Sequence, residues 1–315
     1  MRRIVLKCLN GIYGWIIGLV LLAAVAYAGY SIWDNTQIYQ AAENVQNEVR
    51  QLKPSKITKS GPSFDELRTV NKDVVAWLTV DGTNIDYPVL QGKNNESYMD
   101  KDVYGKFSLA GSIFLDSRNS SDFSDNYSLI YGHNMDKHLM FGDLAKFKKK
   151  NFFKKNTTAS IMLPGESRSY KVAAVLQISA GTEEIFNPET WKNNLKGFGQ
   201  FLKKNSLFYH SDLIAQLISN PDAMEVVSLV TCSDGSTNAR TVLILVRDKG
   251  DSSTVKKTSS NSSSGSDIKS GSSSSAKKTG DNQNPNFWLA VIAGVLLFIL
   301  TFESLDRYRN RRRDD

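Results

Sequence analysis

Residues 228–232, SLVTC, and 239–247, ARTVLILVR, are two apolar runs joined by a polar segment, SDGSTN (233–238). They read as two adjacent antiparallel strands, with Cys232 closing the first and Arg240 opening the second at one end of the sheet. Upstream the same rhythm recurs. It starts with VAWLTV (75–80), a turn at Asp81-Gly82 and NIDYPVL (84–90), and continues through GSIFLD (111–116), YSLIY (127–131), TASIML (158–163), YKVAAVLQI (170–178) and EVVSLV (225–230). With TVLILVR (241–247) that makes about eight strands, the number at which a small barrel closes with its interior filled by side chains. The fold class expected is mainly β, an eight-stranded closed barrel with peripheral helices.

Helical patterns fall between the strands. LMFGDLAKFKKK (139–150) follows the fourth, and PETWKNNLKGFGQFLKK (188–204) precedes the seventh, with Trp191, Leu195, Phe198 and Leu202 on one face to pack against the barrel. Ser63 and Glu66 have capping-box spacing, so a short helix should begin there and open the domain. Before it, Ile38, Ala41, Ala42, Val45, Val49 and Leu52 recur at helical spacing until Pro54 stops the pattern.

The barrel sits between two apolar stretches. No charged residue occurs between Lys7 and Asp34, a length sufficient to cross a bilayer core, which takes about 20 apolar residues. Asn282 to Phe302 is likewise uncharged and is followed by Arg307, Arg309, Arg311, Arg312 and Arg313. With Arg2, Arg3 and Lys7 before the first stretch, the positive-inside rule puts both termini in the cytoplasm and everything between outside. The expected layout is a cytoplasmic N-terminus (1–11), a transmembrane helix (12–33), a linking helix (34–63), the barrel domain (64–250), a Ser-rich flexible linker (251–281), a second transmembrane helix (282–302) and a basic cytoplasmic tail (303–315).

This layout explains the net charge of +7. Residues 8–250 hold 26 basic and 25 acidic side chains, so the excess lies at the ends and argues for topology, not for a nucleic-acid partner. Of the two cysteines, Cys8 lies at the cytoplasmic edge of the first span. Cys232 is then alone outside the cell: buried and inert, paired between chains, or a reactive thiol. Among the three histidines, His138 and His210 suit surface or capping roles. His133, in LIYGHNM, directly follows a strand at Gly132, where a rigid scaffold presents functional side chains. Cysteine catalysis needs a thiolate, a group to manage the leaving-group proton and a donor for the oxyanion; Cys232, His133 and Arg240 can fill these parts.

At these residues the sequence resembles the sortases, transpeptidases of Gram-positive cell surfaces. LIYGHNM followed by MFGDL, and SLVTC followed by an Arg at the start of the last strand, are similar to the family's His and Cys motifs. AWLTVDGTNIDYPVLQGKNNESYM and GSIFLD are most similar to class B, and the likeness spans roughly residues 64–248. The resemblance implies a sortase-type barrel with His133, Cys232 and Arg240 as the catalytic three. It also implies a cleft lined by Asn95, Met99, Ile185 and Thr231, and no cofactor or metal. The implied partners are secreted surface proteins or pilins with a C-terminal sorting signal, and as acceptor a peptidoglycan-precursor or pilin-lysine amine. A second span is the layout of pilus-building class C enzymes, so pilus polymerisation stands as the alternative to cell-wall anchoring; the class C Asp-Pro-aromatic lid is missing. NlpC/P60-type peptidases and L,D-transpeptidases order and space Cys, His and Arg differently. A non-catalytic, membrane-tethered binding protein is the alternative of another class, and TGDNQNPN before the second span offers no sorting motif that would make this chain a sortase substrate.

Overall fold

Strand alternation divides the apolar side chains between the two faces of one sheet. The computed structural model describes residues 2–54, 63–179, 181–182, 184–231 and 239–250. Its strands are β1 (Val74–Val80), β2 (Asp86–Leu90), β3 (Phe114–Leu115), β4 (Tyr127–Gly132), β5 (Thr158–Leu163), β6 (Glu166–Ser179), β7 (Phe208–Tyr209), β8 (Met224–Thr231) and β9 (Ala239–Asp248). They pair in the order β5-β1-β2-β3-β4-β8-β9-β6, and a further β5–β6 pairing closes the ring into an eight-stranded barrel. β2–β3 and β4–β8 are parallel and the other pairs antiparallel.

Inside the ring, one set of alternate residues from all eight strands forms a single core, including Leu78, Val89, Leu115, Ile130, Ile161, Val172, Leu229 and Leu243. The complementary set on β4, β6, β8 and β9, including Leu129, Leu176, Val230, Val242 and Ile244, is also buried, because helices cover that outer wall. These are α4 (Pro188–Trp191), α5 (Leu195–Asn205) and α6 (Ser211–Ser219), which contribute Trp191, Phe198, Leu202, Ile214 and Leu217. Burial on both faces accounts for the unbroken apolar run of β9. Away from the His133 end, the interior closes on the buried Glu225, which accepts from Tyr170 Oη and from Arg168 Nη1 at 3.1 Å.

The first apolar stretch and the linking helix form one continuous helix, α1 (Arg2–Arg50), about 74 Å long at 1.5 Å per residue. From Gly11 onward it is long and apolar enough to cross a membrane. Trp15, Leu22 and Tyr27 are 73%, 64% and 74% exposed, as expected for side chains whose partner would be lipid. Beyond Ile38 the helix turns amphipathic, and Val49 joins α2 (Phe64–Val70), Trp77, Leu90 and Val103 in a third apolar cluster. The capping box at Ser63 and Glu66 is formed.

Four details depart from the sequence reading. GSIFLD contributes only Phe114–Leu115 to the sheet. The helix expected over 139–150 starts three residues late, as a 3-10 turn (Gly142–Lys148) followed by α3 (Lys150–Lys155), because Met140 donates its N–H to Tyr87 Oη and stays in the preceding loop. The helix expected over 188–204 is two, since Asn194 Oδ1 accepts from Gly197 N and starts a new one. β7, which adds to β6 outside the ring, and α6 were not anticipated. The expected linker, second span and basic tail lie outside the described residues.

Candidate active site

β4 and β8 lie side by side in parallel register, from Tyr127 opposite Val226 to Gly132 opposite Thr231. His133 therefore leaves the barrel beside the residue that precedes Cys232 in the chain. Cys232 itself lies outside the described residues. Gly132 is required by packing: a Cβ there would stand 2.4 Å from Ile113 Cδ1 and 2.8 Å from the Phe141 ring. The close approach of Phe141 lets its N–H donate to the His133 carbonyl at 2.9 Å, which folds the loop after His133 back on the barrel.

The His133 ring is partly buried, and its Nδ1 has no hydrogen-bond partner among the described residues. Burial disfavours the imidazolium and holds the His133 pKa below its ordinary value. The other histidines are placed otherwise. His138 is 59% exposed and pairs through Nδ1 with the buried Asp143 at 2.5 Å, while His210 immediately precedes α6, makes no side-chain cap bond to it and stacks on Phe153 at 4.7 Å.

Arg240 opens β9 opposite Ile178 of β6. Its Nη1 donates to the Thr231 carbonyl at 3.3 Å, and its guanidinium lies over the Phe186 ring, 5.7 Å from the centroid. Thr231 is 1% exposed, and its hydroxyl accepts from Thr241 N at 3.1 Å, a side-chain rung that carries the β8–β9 pairing one step past the last backbone pair. His133 and Arg240 thus flank the end of β8 from the two strands beside it.

The other candidates separate. Asn95 bridges strand ends, donating Nδ2–H to Asp116 Oδ2 at 2.9 Å and accepting from Ser117 N at 2.7 Å. Met99 is 45% exposed at the rim of the same loop. Ile185 is wholly buried among Tyr127, Trp191 and Phe198, and its carbonyl accepts from Tyr127 Oη; it supports the wall from behind and offers no surface.

Sequence reasoning passed over the group that joins these walls. Asp116 is fully buried and accepts from Arg118 Nε and Nη2 (2.8 and 2.7 Å), Asn95 Nδ2 and Tyr131 Oη (3.1 Å). Burial alone would raise its pKa, but the Arg118 guanidinium and these donors outweigh it and hold the carboxyl below its ordinary value. Arg118 also reaches the Phe186 carbonyl at 2.6 Å and Asn187 Oδ1 at 3.3 Å. One buried carboxylate therefore ties together the 91–100 loop, the end of β4 two residues before His133, and the loop whose Phe186 lies under Arg240. The signal was present in FLDSR (114–118), an Asp and an Arg two apart at a strand end. Among the described residues no group of three or more His, Cys, Asp or Glu could hold a metal ion.

A closed eight-stranded barrel with a His at the end of one strand and an Arg beside its parallel neighbour is the architecture of a sortase. The family model for the sortase domain matches residues 78–247, and the chain belongs to the sortase family, with the features of class B. It is 32% identical over 224 residues to sortase B of Listeria monocytogenes, covering 68% of this chain and 87% of that one. Among solved structures it is similar to a Streptococcus pyogenes class B sortase involved in pilus biogenesis (40% identity, TM-score 0.53, 58% of this chain and 97% of that one). It is also similar to Clostridium perfringens sortase B (31% identity, TM-score 0.53, 58% and 98%).

Proposed function

We propose that this sortase is a membrane-anchored cysteine transpeptidase that cleaves a C-terminal sorting motif of secreted proteins and transfers the acyl group to an amine, joining those proteins covalently to the cell wall. The observation that carries the reading is the register of β4 and β8, with His133 one residue past Gly132, Cys232 one residue past Thr231, and Arg240 bonded to the Thr231 carbonyl. In this mechanism the Cys232 thiol gives its proton to the neutral His133 imidazole, and the thiolate attacks the scissile carbonyl. Arg240 stabilises the oxyanion. As the C–N bond breaks, His133 hands its proton to the departing amine and a thioester remains on Cys232. The acceptor amine then attacks the thioester, the thiolate leaves, and the proton lost by the amine returns through His133.

Asn95 and Met99 border the peptide cleft, and Thr231 shapes its floor. The domain limits follow the same reading: α1 carries the first span, the catalytic unit runs from 64 to 250, and residues 251–315 supply a tether, a second span and a cytoplasmic tail. The favoured acceptor is a peptidoglycan-precursor amine. Pilin polymerisation is the second reading, supported by the 40% identity to an S. pyogenes sortase involved in pilus biogenesis.

The test is transpeptidation of sorting peptides of Asn-Pro and Leu-Pro type, with a peptidoglycan cross-bridge amine or a pilin lysine as acceptor. Cys232→Ala and His133→Ala should each abolish product while the thermal melt stays that of the parent. Activity retained in Cys232→Ala would overturn the cysteine mechanism, and a product formed with the pilin lysine alone would replace the first acceptor by the second.

A further inference from the structure

We infer that the membrane-proximal helix is a positioning element of the catalytic centre: the C-terminal part of α1, residues 39–50, together with the chain just past it to Lys53, holds the loop that follows His133. Three observations meet there. The loop is strained, since Lys137, His138 and Met140 have φ of 57°, 64° and 49°, left-handed values that non-glycine residues keep only where their surroundings impose them. It is pinned at its far end, where the Met140 N–H donates to Tyr87 Oη at 2.7 Å and Phe141 N–H returns to the His133 carbonyl at 2.9 Å. And α1 lies over both parts. The Lys137 ammonium sits 5.5 Å from the centroid of the Tyr39 ring, while Ala42, Val45, Gln46 and Val49 close a narrow cavity of about 40 Å³ whose other walls include Tyr87 and Met140.

Tyr39, Ala42, Gln46 and Val49 are spaced three and four apart and share one helix face, and Lys53 lies three residues past the helix end. Further along, Gln46 Nε2 and Arg50 Nη2 both donate to the Asn84 carbonyl (3.1 and 2.9 Å), and Lys53 Nζ pairs with Asp86 at 2.6 Å. Asn84 N in turn donates to Asp143 Oδ2, and the other oxygen of that carboxylate holds His138. The strained loop thus has α1 on one side and, on the other, groups that α1 itself fixes. Undocking the helix releases the loop, and the backbone that sets the His133 ring relaxes. The same helix that continues into the apolar segment therefore completes the proton-transfer site, so the catalytic geometry depends on the barrel being seated on its stalk.

The kinetic part of this inference rests on His133 as the proton carrier; the mechanical part does not. The test uses the full chain in detergent micelles. Hydrogen–deuterium exchange is followed on peptides covering 134–142, and transpeptidation is measured in parallel. Tyr87→Phe, which deletes only the acceptor hydroxyl, and Ala42→Asp, which undocks α1, should each speed exchange in that segment and lower kcat by about tenfold or more, with KM near that of the parent. Tyr39→Ala should act in the same direction with a smaller effect. Glu48→Ala removes an α1 contact made to Tyr104, away from the loop, and should leave both readouts unchanged. If Ala42→Asp and Tyr87→Phe leave exchange and kcat within about twofold of the parent, well short of the loss a misplaced catalytic group brings, the inference is wrong. An inactive parent would count against the proposed function, and exchange alone would then decide the coupling.

Discussion

At the scale of single residues, Asp116 determines how the walls of the site are held, and its environment sets the consequence of losing it. Asp116→Ala leaves Arg118, Tyr131 Oη and the Asn95 amide without their shared acceptor. Removing one member of a buried pair costs about 3–5 kcal/mol; because Arg118 is 42% exposed and water can serve it, we expect the lower end, measured by urea unfolding. Its pKa is held down, so the stability it lends is present above the unfolded carboxyl value of about 3.9 and is lost as pH falls through the lower folded value. A parent whose stability is flat through that range would contradict the description of Asp116 as a satisfied, ionised hub.

His133 has the same sign for a different reason. Burial lowers its pKa, so the neutral ring's contribution is present above about pH 6.5 and is lost as pH falls through the folded value. NMR titration of the ring in Cys232→Ala, where no thiolate competes, should find a midpoint below about 6.5; a midpoint above it would show that a charge partner outweighs burial. For Arg240, the Thr231 carbonyl and the Phe186 ring occupy only part of the guanidinium, leaving donors for an oxyanion. Arg240→Ala should slow single-turnover acylation by roughly 100 to 1,000-fold, the effect of losing one such donor, and Lys should restore it only in part. An unchanged acylation rate would remove Arg240 from the site.

At the scale of elements, the parallel β4–β8 pair sets the register on which the site depends, and Gly132 keeps it. Gly132→Ala must push both Phe141 and Ile113 aside and should cost about 1–3 kcal/mol, with a larger loss of turnover, because Phe141 also closes the His133 loop. A variant with the parent's melting temperature and rate would mean that the loop tolerates the shift. The strands were readable in advance because their alternation follows a local rule. So were the places of His133 and Arg240 beside the ends of β4 and β9. Asp116 and Arg118 were only partly legible: FLDSR carries the pair itself, but the partners that make it a buried hub lie up to about 70 residues away, which no local pattern carries. The break in the helix over 188–204 turned on a single Asn cap, and the late start after His133 on one hydroxyl, Tyr87 Oη, from another strand. Ile185 was expected to line the cleft on the strength of the resemblance alone; which side of the wall it occupies depends on the helices packed behind it.

At the scale of the whole molecule, an outward-facing apolar helix runs without interruption into the face that packs on the barrel. The proposed function places that barrel outside the cell at a fixed seat on its anchor. Protease added to intact cells should then digest the catalytic domain and leave α1 before about residue 33 protected, as a span of about 20 residues buried in lipid would be. A catalytic domain fully protected until lysis would reverse the topology. The central claim is that Cys232 takes up the acyl group of a sorting motif, and the direct measurement is the mass of the intact protein after brief exposure to Asn-Pro or Leu-Pro type sorting peptides without an acceptor amine. The account predicts an adduct equal to the N-terminal cleavage fragment, mapped to Cys232, abolished in Cys232→Ala and discharged by an added amine. Peptide turnover with no adduct on Cys232, or an adduct that survives in Cys232→Ala, would contradict it.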